Sequence, residues 1–491
     1  MERHLVRDDL GPWLARLAGR RVAVLGDVML DRYVFGDVQR ISPEAPIPVL
    51  RRTGGRTVLG GAANVARNIA SLGGVAVLVG VIGGDEAGAE LQRIAAQSDG
   101  IEAQLVRNLA APTIVKTRFV SHGHQLLRLD EEELGAAAMP HPDAILAAFQ
   151  AALDGAEAVV LSDYAKGVLS DAVLAGAIEA ARRWGIPVVA DPKRGDFSAY
   201  RGVDVLTPNQ AEAIYAARIT GFDDASVAEA GRHALQRTEA QAVLVTRSER
   251  GLMLVRPDEP PLHLPTHAQQ VADVSGAGDT LVAAFALALA AGAPLPEAAR
   301  LGNLAAGIVV GKPGTATVDH AELAAALRHE QLDALDHKLA DWPQAQAQIR
   351  AWRNAGLRVG FTNGCFDLLH PGHVRLLTTA RAACDRLVVA LNTDASVRRL
   401  KGPGRPVQTE AARATVMAGM APADLVVLFD QDTPESLIAA LVPDVLFKGA
   451  DYAMDQVVGA DIVLAHGGEV RLLPLEAGHS TTGTIARIGA R

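Results

Sequence analysis

Short apolar runs alternate along this chain with longer Ala-rich segments of helical period, and that alternation restricts the fold more than any other feature. The runs include Val22–Leu25, Val75–Val79, Ala158–Leu161, Pro187–Ala190, Val203–Leu206 and Ala242–Val245. Later come Val359–Phe361, Leu387–Leu391, Leu425–Phe429 and Val445–Phe447. Strands that are apolar throughout belong to parallel sheets covered by helices on both faces, so the expected class is doubly wound α/β. Ligands bind such sheets beyond the carboxyl ends of the strands. Those ends carry Gly26-Asp27, Ser162-Asp163-Tyr164, Asp191-Pro192-Lys193, Thr207-Pro208-Asn209 and Thr246-Arg247, which together describe a lined cleft.

Two segments break the pattern. Tyr33 to Thr57 carries Pro43, Pro46, Pro48 and a Gly54-Gly55 turn, and Thr113 to Leu129 alternates β-branched with polar residues. Both read as antiparallel strands of a small sheet projecting from the main domain, placed to cover a substrate or to pair with another copy.

The 491 residues exceed one ordinary domain of roughly 100–200 residues. From His320 to Asp341 the chain turns polar and charged, and a new strand begins near Leu357. The expected division is a first domain over 1–330, a linker over 331–354 and a second domain over 355–491. A net charge of −9 argues against nucleic acid as the partner. Two cysteines, Cys365 and Cys384, exclude a disulfide framework and fit a reducing cytoplasm. The start lacks the apolar core of a signal peptide. The most apolar stretch, Leu281 to Leu295, reads as a buried helix sooner than a membrane span.

Chemistry is concentrated in two places. Val274-Ser275-Gly276-Ala277-Gly278-Asp279-Thr280 is a small-residue turn that opens a helix. Small residues let backbone N–H groups approach an anion closely, and the positive helix end points at the same spot. Gly276, Ala277 and Gly278 therefore suit an anion hole for a γ-phosphate, with Asp279 placed to take a hydroxyl proton. A plain helix cap is the competing reading of the same residues. Asn64, within Gly60-Gly61-Ala62-Ala63-Asn64, suits a sugar hydroxyl. Asn209 and Glu212 stand three residues apart at a helix start, where a carboxylate can order water around Mg²⁺ bound to ATP, or simply complete a capping box. Lys166, Lys193, Arg194 and Arg118 lie in or near the cleft loops, so the sugar is expected to be already phosphorylated. No Gly-x-x-x-x-Gly-Lys-[Ser/Thr] occurs, which excludes a P-loop kinase.

These elements, over about residues 20–320, resemble the ribokinase/fructokinase family of sugar kinases. The resemblance implies a three-layer ribokinase-like domain, Asp279 as base, and Asp27 and Asn64 on the sugar. It places Thr246 and Arg247 on the nucleotide. Val274-Ser275 stands where that family often has two threonines.

The second place is His370-Pro371-Gly372-His373, after a strand and Asn363-Gly364-Cys365-Phe366-Asp367. No Glu stands between the histidines and no third ligand is evident, so a metal pair is disfavoured. Both rings can instead donate to phosphate oxygens at a helix start while pyrophosphate leaves. Residues 355–491 resemble the small cytidylyltransferase-like nucleotidyltransferases, a Rossmann-like fold. That resemblance gives Asn363, Phe366, Lys401, Arg405, Lys448, Ser480, Thr481 and Thr482 to nucleotide and phosphates.

The order of the two halves resembles a bacterial family of bifunctional heptose-7-phosphate kinase/heptose-1-phosphate adenylyltransferases. It implies ATP as substrate of both domains, Mg²⁺, and a separate heptose bisphosphate phosphatase acting between the steps. It also implies a cytoplasmic homodimer joined through the projecting sheet, without membrane or nucleic-acid partners. The anomer and a K⁺ requirement stay open at this point. So do another sugar phosphate, CTP in place of ATP, and a non-catalytic nucleotide-sensing scaffold.

Overall fold

The computed structural model describes residues 10–132, 140–266, 271–336, 338–449, 453 and 456–474. Contacts divide the chain into two compact units, the first ending at Leu327 and the second beginning at Arg328.

In the first unit a nine-stranded sheet runs in the order Leu262–Leu264, Leu252–Val255, Ala242–Thr246, Val205–Leu206, Val188–Asp191, Ala158–Ser162, Arg21–Gly26, Val75–Gly83, Ile101–Asn108. The first two pair antiparallel at one edge, and the other seven are parallel. Strand Arg21–Gly26 shows why the apolar runs are continuous. Val22 and Val24 enter the core on one face, with helices Ala62–Ser71, Ala277–Ala290 and Leu295–Val310. Ala23 and Leu25 enter the core on the other, with helices Pro142–Ala152, Asp171–Trp184 and Asp224–Thr238. Every position of such a strand is buried, so every position is apolar. The strand order reverses between Arg21–Gly26 and Ala158–Ser162, which opens a crevice at their carboxyl ends.

The projecting sheet is present, in the order Pro48–Gly61, Val28–Ile41, Val115–Ser121, His124–Glu131. Its outer pairs are antiparallel as expected, but its central pair is parallel, Leu30 facing Val115 and Phe35 facing Val120. The two hairpins come from distant parts of the chain and meet side by side, a pairing that no local pattern announces.

The second unit holds six parallel strands, in the order Leu339–Ala340, Leu425–Phe429, Arg386–Asn392, Val359–Gly364, Val445–Gly449, Glu469–Leu473. The stretch 331–354, expected as a linker, needs correction. Leu339–Ala340 is an edge strand of this sheet, and helix Trp342–Asn354 buries Ala345, Ile349 and Trp352 in its core. Asp341 and Gln344 form a capping box that starts the helix, so the polar residues that suggested a linker are a helix signal. Strand order reverses between Val359–Gly364 and Val445–Gly449, and helix Pro371–Ala382 follows the first of these.

Candidate active sites

Helix Ala277–Ala290 begins after Gly276, whose φ of 81° a residue with a side chain rarely adopts. First-turn N–H groups have no carbonyl partner within their helix. That of Ala277 donates to the Val274 carbonyl at 3.3 Å, which leaves Gly278 and Asp279 to serve a ligand. Asp279 is buried, accepting from Asn64 Nδ2 on Oδ2 at 2.7 Å and from the Tyr164 hydroxyl on Oδ1 at 2.5 Å. Burial pushes its carboxyl up to about 6, against the opposing pull of those two donors.

Asp279, Gly276 and Gly278 share a cavity of about 200 Å³ with Asn209, Glu212, Lys193 and Thr246. Asp163, Tyr164, Asp191 and Thr207 line it too, residues that the strand-end motifs contained but to which no role was given. Asp191 matters most among them. Burial, with Asp279 and Glu212 nearby, raises its carboxyl to about 8, and Thr207 donates to it at 3.1 Å.

Several expected ligand contacts are engaged within the protein. Asp27 is fully buried and accepts from the N–H groups of Tyr164 at 2.9 Å, Lys166 at 3.1 Å and Val168 at 3.1 Å. Burial raises its pKa and these donors lower it, with a net rise. Its side chain therefore anchors the loop after strand Ala158–Ser162. Asn64 is turned to Asp279, its Oδ1 accepting from Arg67 at 3.1 Å. Lys166 pairs with Glu132 at 2.6 Å, outside the cavity lining, and Lys193 pairs with Glu212 at 2.7 Å. Asn209 and Glu212 do form the capping box, with both bonds at 2.9 Å. Arg247 is buried against Asp224, with His263 Nδ1 at 3.4 Å. Arg194 ties Asp163, Asp171 and the Leu169 carbonyl, and Arg118 pairs with Asp31. The buried ones among these, Asp27, Arg247 and Asp163, are each paired or hydrogen-bonded, as a desolvated charge must be.

The turn before the helix is held from two sides. Asp273 accepts from Ser275 N–H at 2.9 Å and from Gly314 N–H at 3.0 Å. Beside Gly314, the Thr315 N–H donates to the hydroxyl of Tyr33, on the projecting sheet, at 3.2 Å.

In the second unit His370 caps the start of helix Pro371–Ala382 and stacks on His373, ring centroids 3.8 Å apart. Burial, then the neighbouring His370, pushes the His373 imidazole down to about 4, so it is neutral near pH 7. A neutral ring keeps one N–H to donate. Phe366, expected on the nucleotide, instead packs against His373 with centroids at 5.0 Å and is buried. Its φ of 44° lets the ring cover Gly364, where a Cβ would stand 3.0 Å from it.

Arg405 is bound to Asp367 at 2.6 Å. Burial would raise the Asp367 pKa, but the N–H groups of Gln408 and Val407 and the Arg405 guanidinium hold it below the ordinary range. The buried Asn363 Oδ1 has no hydrogen-bond partner among the described residues. Lys401 is exposed at the end of helix Asp394–Lys401, and Lys448 lies at the end of strand Val445–Gly449. Ser480, Thr481 and Thr482 lie outside the described residues.

Sequence reasoning missed Arg413. Fully buried, it donates to the Cys365 carbonyl at 2.8 Å, Asp394 Oδ1 at 2.7 Å and the Gln408 carbonyl at 3.1 Å. It joins the loop before the histidines to two other loops around the site.

Comparison with known proteins follows the same division. The pfkB family carbohydrate kinases match residues 20–322, and the cytidylyltransferase-like family matches residues 361–470. Phosphofructokinase-2 from Escherichia coli in complex with potassium has a similar fold. Its TM-score is 0.54 at 23% identity, over 64% of this chain and 99% of that one. Arabidopsis thaliana ribokinase complexed with ribose and ATP gives a TM-score of 0.50 at 22% identity, over 63% and 99%. Bifunctional protein HldE of Caulobacter vibrioides is 53% identical over 474 residues, spanning 96% of this chain and 98% of its own. With that identity held across both units, the chain belongs to the HldE family of bifunctional proteins, a pfkB-type carbohydrate kinase followed by a cytidylyltransferase-like nucleotidyltransferase.

Proposed function

We propose that the first unit transfers the γ-phosphate of ATP to the anomeric hydroxyl of D-glycero-D-manno-heptose 7-phosphate. The second then joins heptose 1-phosphate to the AMP moiety of ATP, releasing pyrophosphate. Membership of the HldE family supports the pair of activities. The observation that carries the kinase step is the placement of Asp279, buried at a helix start beside an open glycine and facing a cavity. As the anomeric oxygen attacks the γ-phosphorus, its proton passes to Asp279 and the bond to the β-phosphate oxygen breaks. Charge growing on the γ-phosphoryl oxygens meets the N–H groups of Gly278 and Asp279.

Mg²⁺ would arrive on the nucleotide phosphates, neutralising them. Asp191 and Glu212 fit its neighbourhood, as two carboxylates that line the same cavity. Lys193 would exchange Glu212 for a phosphate. Lys166 would exchange Glu132 for the 7-phosphate. Thr246 lies at the nucleotide side, with Arg247 supporting that loop. In the second unit His370 and His373 donate to the α-phosphate oxygens, with Asn363, Lys401, Arg405, Lys448, Ser480, Thr481 and Thr482 around the nucleotide.

Whether the kinase uses K⁺ is checked by assaying it with K⁺ replaced by Na⁺, since a structure of similar fold is a complex with potassium. Part of this reading is a homodimer through the projecting sheet, where strand His124–Glu131 leaves Leu127 60% and Leu129 48% exposed. The reading places the enzyme in the cytoplasm and the sevenfold-carbon sugar bisphosphate in the hands of a separate phosphatase.

The test is mass spectrometry of products from heptose 7-phosphate and ATP. Without a heptose bisphosphate phosphatase the bisphosphate should accumulate, and with it ADP-heptose should form. Neither product from active, folded protein would sink the reading, and turnover with CTP alone would reassign the nucleotide.

A further inference from the structure

The carboxylate of Asp279 has two protein donors of different kinds. The Asn64 amide is buried within helix Ala62–Ser71, and Arg67 fixes its orientation by occupying its oxygen. The other donor is the Tyr164 hydroxyl, 2.5 Å from Oδ1. Tyr164 stands at the reversal of strand order, on the loop after Ala158–Ser162, and is held at both ends. Its backbone N–H donates to Asp27 at 2.9 Å, and Lys116 of the projecting sheet sits 5.7 Å over its ring. A carboxylate accepts about four hydrogen bonds through its two oxygens. Two protein donors therefore leave room for a sugar hydroxyl.

We infer that Tyr164 is a positioning residue for phosphoryl transfer, whose hydroxyl holds Asp279 ionised and aimed at the sugar without itself touching the sugar. The inference rests on the reading of Asp279 as the base. A donor to the charged form of a carboxyl favours that form. The other charged groups that face Asp279 are Asp31 and Lys116 from the projecting sheet, Asp191 from strand Val188–Asp191 and Arg67 from helix Ala62–Ser71. Changing any of these alters the net charge of the site. Tyr164→Phe does not, so it isolates the hydrogen bond.

The experiment is the pH profile of kinase kcat/KM for full-length Tyr164→Phe, beside the parent and Asp279→Asn. The acid limb should move up by about one pH unit, so that activity below the limb falls about tenfold relative to the plateau. KM for the sugar phosphate at high pH should stay within about twofold. An unmoved limb overturns the inference, and a raised sugar KM with an unmoved limb makes Tyr164 a sugar contact instead. If Tyr164→Phe fails to fold, Tyr164→3-fluorotyrosine, with a more acidic phenol, must move the limb down, and an unmoved limb again overturns the idea. An active Asp279→Asn would defeat the base assignment itself, whereas a dead Asp279→Asn with an unmoved Tyr164→Phe limb defeats only this inference.

Discussion

Gly276 and Gly278 stand two positions apart, yet each is glycine for its own reason. At Gly276 the backbone turns left-handed and a Cβ would stand 3.0 Å from Asn64 Nδ2, so the fold itself demands glycine there. At Gly278 an added Cβ would meet nothing within 4 Å. The fold has no need of glycine at that position, and the space belongs to whatever approaches the helix start. Gly278→Ala should therefore unfold at the same temperature as the parent or slightly above it, because alanine is the better helix former by about 1 kcal/mol. Its kinase kcat/KM should fall at least about tenfold. Thermal unfolding followed by circular dichroism, with kinase assays, checks both halves. The parent kinase carries a second expectation at this scale. Because burial raises Asp279 to about 6, the base is ionised above that pH and protonated below it. The kcat/KM profile of the free enzyme should bend downward as pH falls through about 6, and a profile flat to pH 5 would remove Asp279 as the base.

At the scale of secondary-structure elements, helix Glu410–Ala418 supports the loops of the second site through one side chain. Arg413 on this helix joins Cys365, Asp394 and Gln408, and its removal leaves a partly buried carboxylate and two carbonyls without their donor. Arg413→Ala should cost about 3–5 kcal/mol, read by urea unfolding of the second unit, while kinase activity persists. Little local marks this arginine, since only the Gln408 carbonyl is near in sequence and its other partners lie 19 and 48 residues away. Parallel strands were legible because burial on both faces writes itself as an unbroken apolar run. Edge strand Ile101–Asn108, with exposed positions among buried ones, lacks that signature and was not foreseen. The same logic applies to the sites. Strand ends are fixed by the sheet, so the residues lining the first cavity could be named from their places in the chain. The contacts of Asp27 and Phe366 depend on the course of loop backbones, and those of Asn64 on how two helices pack, none of which a local pattern states.

Taken as a whole, the molecule builds each reactive constellation from residues of a single unit. Asp279, Asn64 and Tyr164 all precede Leu327, while His370, His373 and Asn363 all follow it. Asp279→Asn should abolish the kinase and spare the nucleotidyltransferase, and His373→Ala should do the reverse. Mixing the two variants with a heptose bisphosphate phosphatase should restore synthesis of the nucleotide sugar from heptose 7-phosphate, because on the proposed route the intermediate leaves the enzyme. Failure of the mixture, with each surviving activity intact, would show that the units act in concert. One further consequence comes from the bridge running from Tyr33 through Thr315 and Gly314 to Asp273 and Ser275. Trimming away the outlying strands would not yield a tidy, smaller phosphotransferase. It would cut a brace of the very bend from which the helix bearing Asp279 sets out.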